Sequence, residues 1–115
     1  MGQVLPLFPR LREQPRIIFG RALVHRLVDR ASKLTAIPAE DIFGFDKTAE
    51  TSMTRFAVMA VAKEAGKSFP QIGKLFGGRD HTSIIHACKR AIEFEAGDED
   101  FAELISLLRQ EARNG

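Results

Sequence analysis

The run Phe76-Gly77-Gly78-Arg79-Asp80-His81-Thr82-Ser83 constrains the fold more than any other part of this chain. Two consecutive glycines accept backbone angles that other residues avoid, so they mark a tight turn. Hydrogen-bonding side chains then open an amphipathic stretch that continues through Ile84-Ile85-His86-Ala87-Cys88-Lys89-Arg90. Before the turn, Ser68-Phe69-Pro70-Gln71 has the form of a capping box, a Ser with a Gln three residues on. It predicts a short helix reaching Phe76. Upstream again, a stretch rich in Ala, Met and Val predicts a long helix from Ser52 to Ala65, stopped by Gly66. The order over 52–95 is therefore helix, short helix, tight turn, helix, which is the helix-turn-helix pattern.

The remaining segments extend this core. Residues 1–15 carry Pro6, Pro9 and Pro15 without periodicity and read as an extended tail, leaving 16–115 as the domain. From Arg16 to Ala36, apolar residues at Phe19, Leu23, Leu27, Ala31 and Leu34 follow helical spacing. Pro38 is suited to a first helical position and opens a short turn to Phe43, followed by a loop from Asp46 to Thr51. The helix after the glycine turn is expected from Asp80 to Glu95. A last helix, Asp98 to Arg113, has Phe101, Leu104, Ile105 and Leu108 as its apolar stripe. No strand pattern appears, so the expected class is all-α.

On a helical wheel Arg79, Thr82, Ser83, His86, Lys89 and Arg90 share an arc of about 120°. Ile84, Ile85, Cys88, Ala91 and Ile92 fill the other side. A surface helix also has a polar face, but seldom one without an acid, and Glu93 and Glu95 come only after the last basic residue. Such a face suits the major groove of DNA. Arg79 can fork onto guanine O6 and N7, Asp80 can accept from cytosine N4, and Thr82 offers a methyl and a hydroxyl. His81 can donate, accept or cap. Lys89 and Arg90 are long enough for phosphates, and the N-terminus of the short helix offers backbone donors to another.

Charge distribution agrees. Residues 67–90 hold five Lys/Arg against one acid, and residues 91–115 hold two against seven, so the acidic end should face away from a polyanion. No apolar run approaches the roughly 20 residues needed to cross a bilayer. Interrupted by Pro6, Pro9, Arg10 and Arg12, the N-terminus lacks a signal-peptide core, and the single Cys88 cannot form an internal disulfide. These features suit a cytoplasmic protein.

Catalysis and metal binding fare poorly. Asp80, His81 and Ser83 are sequence neighbours, whereas a hydrolase triad gathers residues from separated segments. His81, His86 and Cys88 do not share a helix face, so no metal site, cofactor or small-molecule substrate is expected. Cys88 suits a small core position, His25 a surface or partly packed one, and the phenylalanines look like core rather than stacking platforms.

These residues closely resemble the C-terminal DNA-binding domain of the bacterial replication initiator DnaA. The resemblance runs over Phe56 to Ile92. It is densest in Met59-Ala60-Val61-Ala62-Lys63-Glu64, in Ser68-x-Pro70-x-Ile72-Gly73 and in Phe76 to Ser83, and His86-Ala87-Cys88 completes it. It implies the DnaA C-terminal, Trp-repressor-like fold, with the long first helix and the last helix added. It implies that Arg79, Asp80, His81, Thr82 and Ser83 read bases of a DnaA-box-like sequence. Phosphate contacts would come from Arg55, Lys63, Ser68, Phe69 and Pro70 and from one or both of Lys89 and Arg90. Lys47 falls where the family inserts an arginine into the minor groove. The family's loop there is strongly basic, whereas residues 45–55 hold two cations against two acids, so weaker or altered binding is expected. No G-x-x-x-x-G-K-[ST] motif occurs, and no ATP switch or self-assembly through one is expected.

Gln3-Val4-Leu5-Pro6-Leu7-Phe8 faintly resembles the glutamine-led motifs that dock on the polymerase sliding clamp, with Gln3, Leu7 and Phe8 as its key residues. The sequence thus supports a sequence-directed duplex-DNA binder, a small non-enzymatic regulator of replication initiation or transcription. The rival reading is a protein-interaction module that recruits or modulates replication proteins.

Overall fold

The computed structural model describes residues 15–114, with side chains from residue 22 onward. Gln3, Leu7, Phe8 and the rest of the tail before Pro15 lie outside the described residues. Six helices occur in the described part: α1 (Pro15–Thr35), α2 (Ala39–Phe43), α3 (Ala49–Glu64), α4 (Phe69–Leu75), α5 (His81–Gly97) and α6 (Glu99–Asn114). No strand is present among these residues. Pro15, assigned to the tail by pattern, is the first residue of α1, where its missing N–H costs no helical bond.

Helix α3 is the centre of the bundle and packs against the other five. Its stretch Ala57-Val58-Met59-Ala60-Val61-Ala62 is buried on every side, because a helix apolar all round has no face to give to water. Leu27 and Val28 from α1, Ile42 from α2, Ile72 from α4, Ile84 from α5 and Leu108 from α6 close the core around it. Charged pairs tie the outer helices: Arg26 of α1 meets Glu111 of α6 at 3.2 Å. Arg109 of α6 holds Glu64 of α3 at 2.9 Å and Glu95 of α5 at 2.7 Å.

The start of α3 corrects the sequence reading. The helix begins at Ala49, three residues before Ser52, because Asp46 Oδ1 accepts the Thr48 N–H at 3.0 Å and turns the chain into it. The connection from α2 is therefore only Gly44 to Thr48, and residues 49–55 of the segment read as the counterpart of the family's minor-groove loop are helical. Thr51, Thr54 and Arg55 are buried there. The Thr54 hydroxyl donates to the Glu50 carbonyl one turn back, which satisfies it inside the core.

A groove of about 720 Å³ opens between the ends of α1, α3 and α6. Its floor includes Leu34, Met53 and Leu104, and Glu50, Asp98, Asp100 and Glu103 rim it. It takes no residue from α4 or α5, and its negative rim would repel a polyanion. No described helix is long and apolar enough to cross a membrane.

Candidate nucleic-acid interface

The turn between α4 and α5 is built by three glycines. Gly77 and Gly78 take φ of +79° and +76°, the left-handed region that favours glycine. Gly73 has a different duty. A Cβ there would lie 2.2 Å from the Arg79 carbonyl oxygen, so the segment after the turn can pack onto α4 only over a bare backbone. The Gly73 carbonyl accepts the Arg79 N–H at 2.9 Å and closes the turn.

Helix α5 leaves this turn with Asp80 as its N-cap. Ile84, Ala87 and Ala91 face the core, and Ile85 and Cys88 are half-buried. Ile92 departs from the wheel reading. It is 67% exposed, because it lies about 100° round the helix from the fully buried Ala91, beyond the packed strip. Asp80, His81, Thr82, Ser83, His86, Lys89 and Arg90 are all exposed on the outer side.

The first turn of α5 is pre-arranged. The Thr82 hydroxyl donates to Asp80 Oδ2 at 2.7 Å, and His81 Nδ1 lies 3.2 Å from Asp80 Oδ1. The Thr82 hydroxyl above all holds the Asp80 carboxyl below its ordinary range, so it is ionised and acceptor-only near neutral pH. Farther along, Arg90 pairs with Glu93 at 3.2 Å and lies over the Phe94 ring at 4.7 Å. Burial pushes the Cys88 thiol up, which keeps it protonated. The described residues contain no group of three or more His, Cys, Asp or Glu arranged for a metal ion.

The N-terminus of α4 forms the expected capping box. Ser68 Oγ accepts from the Gln71 N–H at 3.2 Å, and Gln71 Oε1 accepts from the Ser68 N–H at 2.8 Å. Pro70 has no N–H to give, so the Phe69 N–H is the backbone donor of this group that the box does not use. The Lys63 ammonium lies 4.5 Å above the Phe69 ring and is exposed beside it.

Two arginines stand elsewhere than the sequence suggested. Arg55, expected on a phosphate, is 4% exposed. Its Nε donates to the Ile42 carbonyl at 2.8 Å, and its Nη2 donates to the carbonyls of Asp41 and Asp46 at 2.8 and 3.0 Å. The cause is the C-terminal turn of α2 and the short connection after it, whose inward carbonyls need a donor and find this fork. Burial lowers the Arg55 pKa, which Asp46 and Asp41 partly offset. Arg79 is half-buried. Its Nη1 donates to the Phe76 carbonyl at 3.0 Å and its Nη2 to the Gly44 carbonyl at 2.6 Å. Its Nε–H and the other Nη–H groups remain outside these two bonds. Burial, and then the Arg55 charge, lower its pKa.

Phe45 is the residue that sequence reasoning missed. It is 61% exposed, not core, and its ring stacks 4.3 Å from the Arg79 guanidinium. Only its neighbours in Phe43-Gly44-Phe45-Asp46 hinted at this, since a phenylalanine after a glycine in a short loop has few ways inward. Lys47, two residues on, is exposed on the same connection.

Comparison with known proteins agrees with the fold. The model of the family described as bacterial dnaA protein helix-turn-helix matches residues 24–91. The chromosomal replication initiator protein DnaA of Chromobacterium violaceum is 40% identical over 91 residues, covering 71% of this chain and 20% of that protein. The protein of the same name from Laribacter hongkongensis is 37% identical over 92 residues, covering 76% of this chain and 19% of its own length. The crystal structure of a DNA replication initiation factor superposes with a TM-score of 0.72 at 25% identity, over 96% of this chain and 34% of that one. The chain thus spans about a fifth of the length of these curated relatives. With more than half of its residues matched by the family model and the same all-α helix-turn-helix architecture, the chain belongs to the bacterial DnaA helix-turn-helix family.

Proposed function

We propose that the chain binds duplex DNA in a sequence-directed way at DnaA-box-like sites, as a small regulator of replication initiation or transcription in the cytoplasm. The observation that carries this reading is the outer face of α5. From Asp80 to Arg90 every fully exposed side chain on it is polar or cationic, and its first turn is already ordered by the Asp80–Thr82 bond. A preordered reading turn costs less entropy on binding. Asp80, His81, Thr82 and Ser83 would meet base edges, with the uncommitted N–H groups of Arg79 beside them. Lys63, Lys89, Arg90, the Ser68–Pro70 turn and the Phe69 N–H would meet phosphates. Lys47 would enter the minor groove. Arg55 is withdrawn from the phosphate set by its burial.

Amide chemical-shift mapping of the full chain with a DnaA-box duplex tests this. Shifts should concentrate at residues 80–90 and near Lys47, and leave the groove residues Leu34 and Leu104 in place. Shifts confined to the groove would favour the second reading, a protein-interaction module. That reading draws support from the loss of Arg55 as a surface cation and from Gln3, Leu7 and Phe8, whose resemblance to a sliding-clamp motif would make the tail a recruiting peptide.

A further inference from the structure

The α2–α3 connection is held from two sides. From beneath, Arg55 takes the carbonyls of Asp41, Ile42 and Asp46. From the helix-turn-helix turn, Arg79 takes the carbonyl of Gly44 and stacks under the Phe45 ring. Gly77 completes the seat: a Cβ there would lie 2.8 Å from Phe45 Cζ and 2.9 Å from Cε2, so the ring rests against bare backbone. The described residues give Arg79 no carboxylate partner. Its charge is met by two carbonyl dipoles and an aromatic face. Thr48 N–H on Asp46 Oδ1 then fixes the chain just past Lys47.

We propose that Phe45 and Arg79 form a clasp that joins the α2–α3 connection to the helix-turn-helix turn, making Phe45 a positioning residue that sets where Lys47 meets the duplex relative to Asp80–Ser83. This rests on the DNA-binding reading above and deepens it. A connection with few cations gains little from counterion release. Holding its one exposed cation in place lowers the entropy lost on binding, which compensates. The clasp also explains the exposure of Phe45. The ring serves as a lid on a cation and not as core. It defines Arg79 as a joint between the two DNA-facing segments, beyond any base it touches.

The test is a double-mutant cycle in the full chain, read by fluorescence anisotropy with a DnaA-box duplex over a salt series. Phe45→Ala should weaken binding roughly three- to tenfold and flatten the log K against log salt slope toward that of Lys47→Ala, because the cation it positions no longer meets the duplex. Lys47→Ala should flatten that slope by about one. In the Phe45→Ala background Lys47→Ala should cost much less than in the wild type, and Phe45→Tyr should restore both affinity and coupling. Equal Lys47→Ala effects in the two backgrounds would overturn the proposal. NMR of the unbound chain separates it from the reading beneath. The Arg79 side-chain resonances should carry an upfield ring-current shift that Phe45→Ala abolishes. If that shift is present but no duplex is bound, the DNA reading fails and the positioning role fails with it. If the shift is absent, the clasp itself is wrong.

Discussion

The Arg55 Nε lies 2.8 Å from the Ile42 carbonyl oxygen, and its guanidinium joins the last turn of α2 to Asp46 in the connection that follows. The charge that looked like a phosphate ligand in the sequence is an internal brace. Arg55→Met should therefore act on stability, at a cost of roughly 2–4 kcal/mol, because the Ile42 and Asp46 carbonyls lose their guanidinium donor while that of Asp41 keeps the Gly44 N–H. Urea unfolding measures it. A variant of unchanged midpoint that loses only DNA affinity would return Arg55 to the surface role.

Gly73 is a second position where a side chain carries a structural penalty. Gly73→Ala sets a methyl 2.2 Å from the Arg79 carbonyl oxygen, and backbone on both sides leaves no flexible group to yield. The expected loss is about 2 kcal/mol or more. Thermal denaturation followed by circular dichroism should show it, with Gly97→Ala, which meets nothing within 4 Å, as the control.

Arg109 couples acid sensitivity to the bundle. Its bidentate contacts with Glu64 and Glu95 raise the Arg109 pKa and depress that of Glu95, chiefly through the Arg109 hydrogen bond. A carboxylate whose folded pKa is depressed stabilises the fold above its unfolded pKa, and that contribution is lost as pH falls through the folded value. With the Arg109 and Glu95 side chains about a third exposed, the pair is worth on the order of 1 kcal/mol. Arg109→Gln should lower stability by that amount at pH 7 and by much less near pH 3. Urea midpoints at the two pH values decide the matter, and an equal loss at both would mean that the contact is packing rather than charge.

Recognition should divide by residue class. Thr82→Ala removes a methyl, a hydroxyl and the bond that orders Asp80, and should cost about 1–3 kcal/mol of binding with relaxed base preference. Lys89→Ala should weaken binding to box and non-box duplexes alike. Competition anisotropy with single-base box variants distinguishes the two patterns.

Much of the fold was legible in the sequence because local signals agreed with tertiary ones. The capping box at Ser68 and Gln71, the Gly77-Gly78 turn and the apolar stripe of α6 each stand where expected. The exposure of Thr82, Ser83, His86, Lys89 and Arg90 was legible too, since their shared polar face shows in the helical period. What stayed hidden depended on partners distant in sequence. Arg55 reads as a surface cation until Asp41, Ile42 and Asp46 turn their carbonyls inward to it. Phe45 reads as core until Arg79, far along the chain, provides a guanidinium to cover. Ile92 looked buried because the wheel counts angle and not the width of the neighbouring helices.

This helix-turn-helix domain should read a DNA sequence. Titrating the full chain with a labelled duplex carrying a DnaA box, and with a scrambled duplex of equal length and charge, at low and at physiological salt, tests it most directly. Binding to the box should be tighter at both salts, with a preference that persists when both affinities fall. Equal affinity for the two duplexes, or negligible binding to both at low salt, would contradict it.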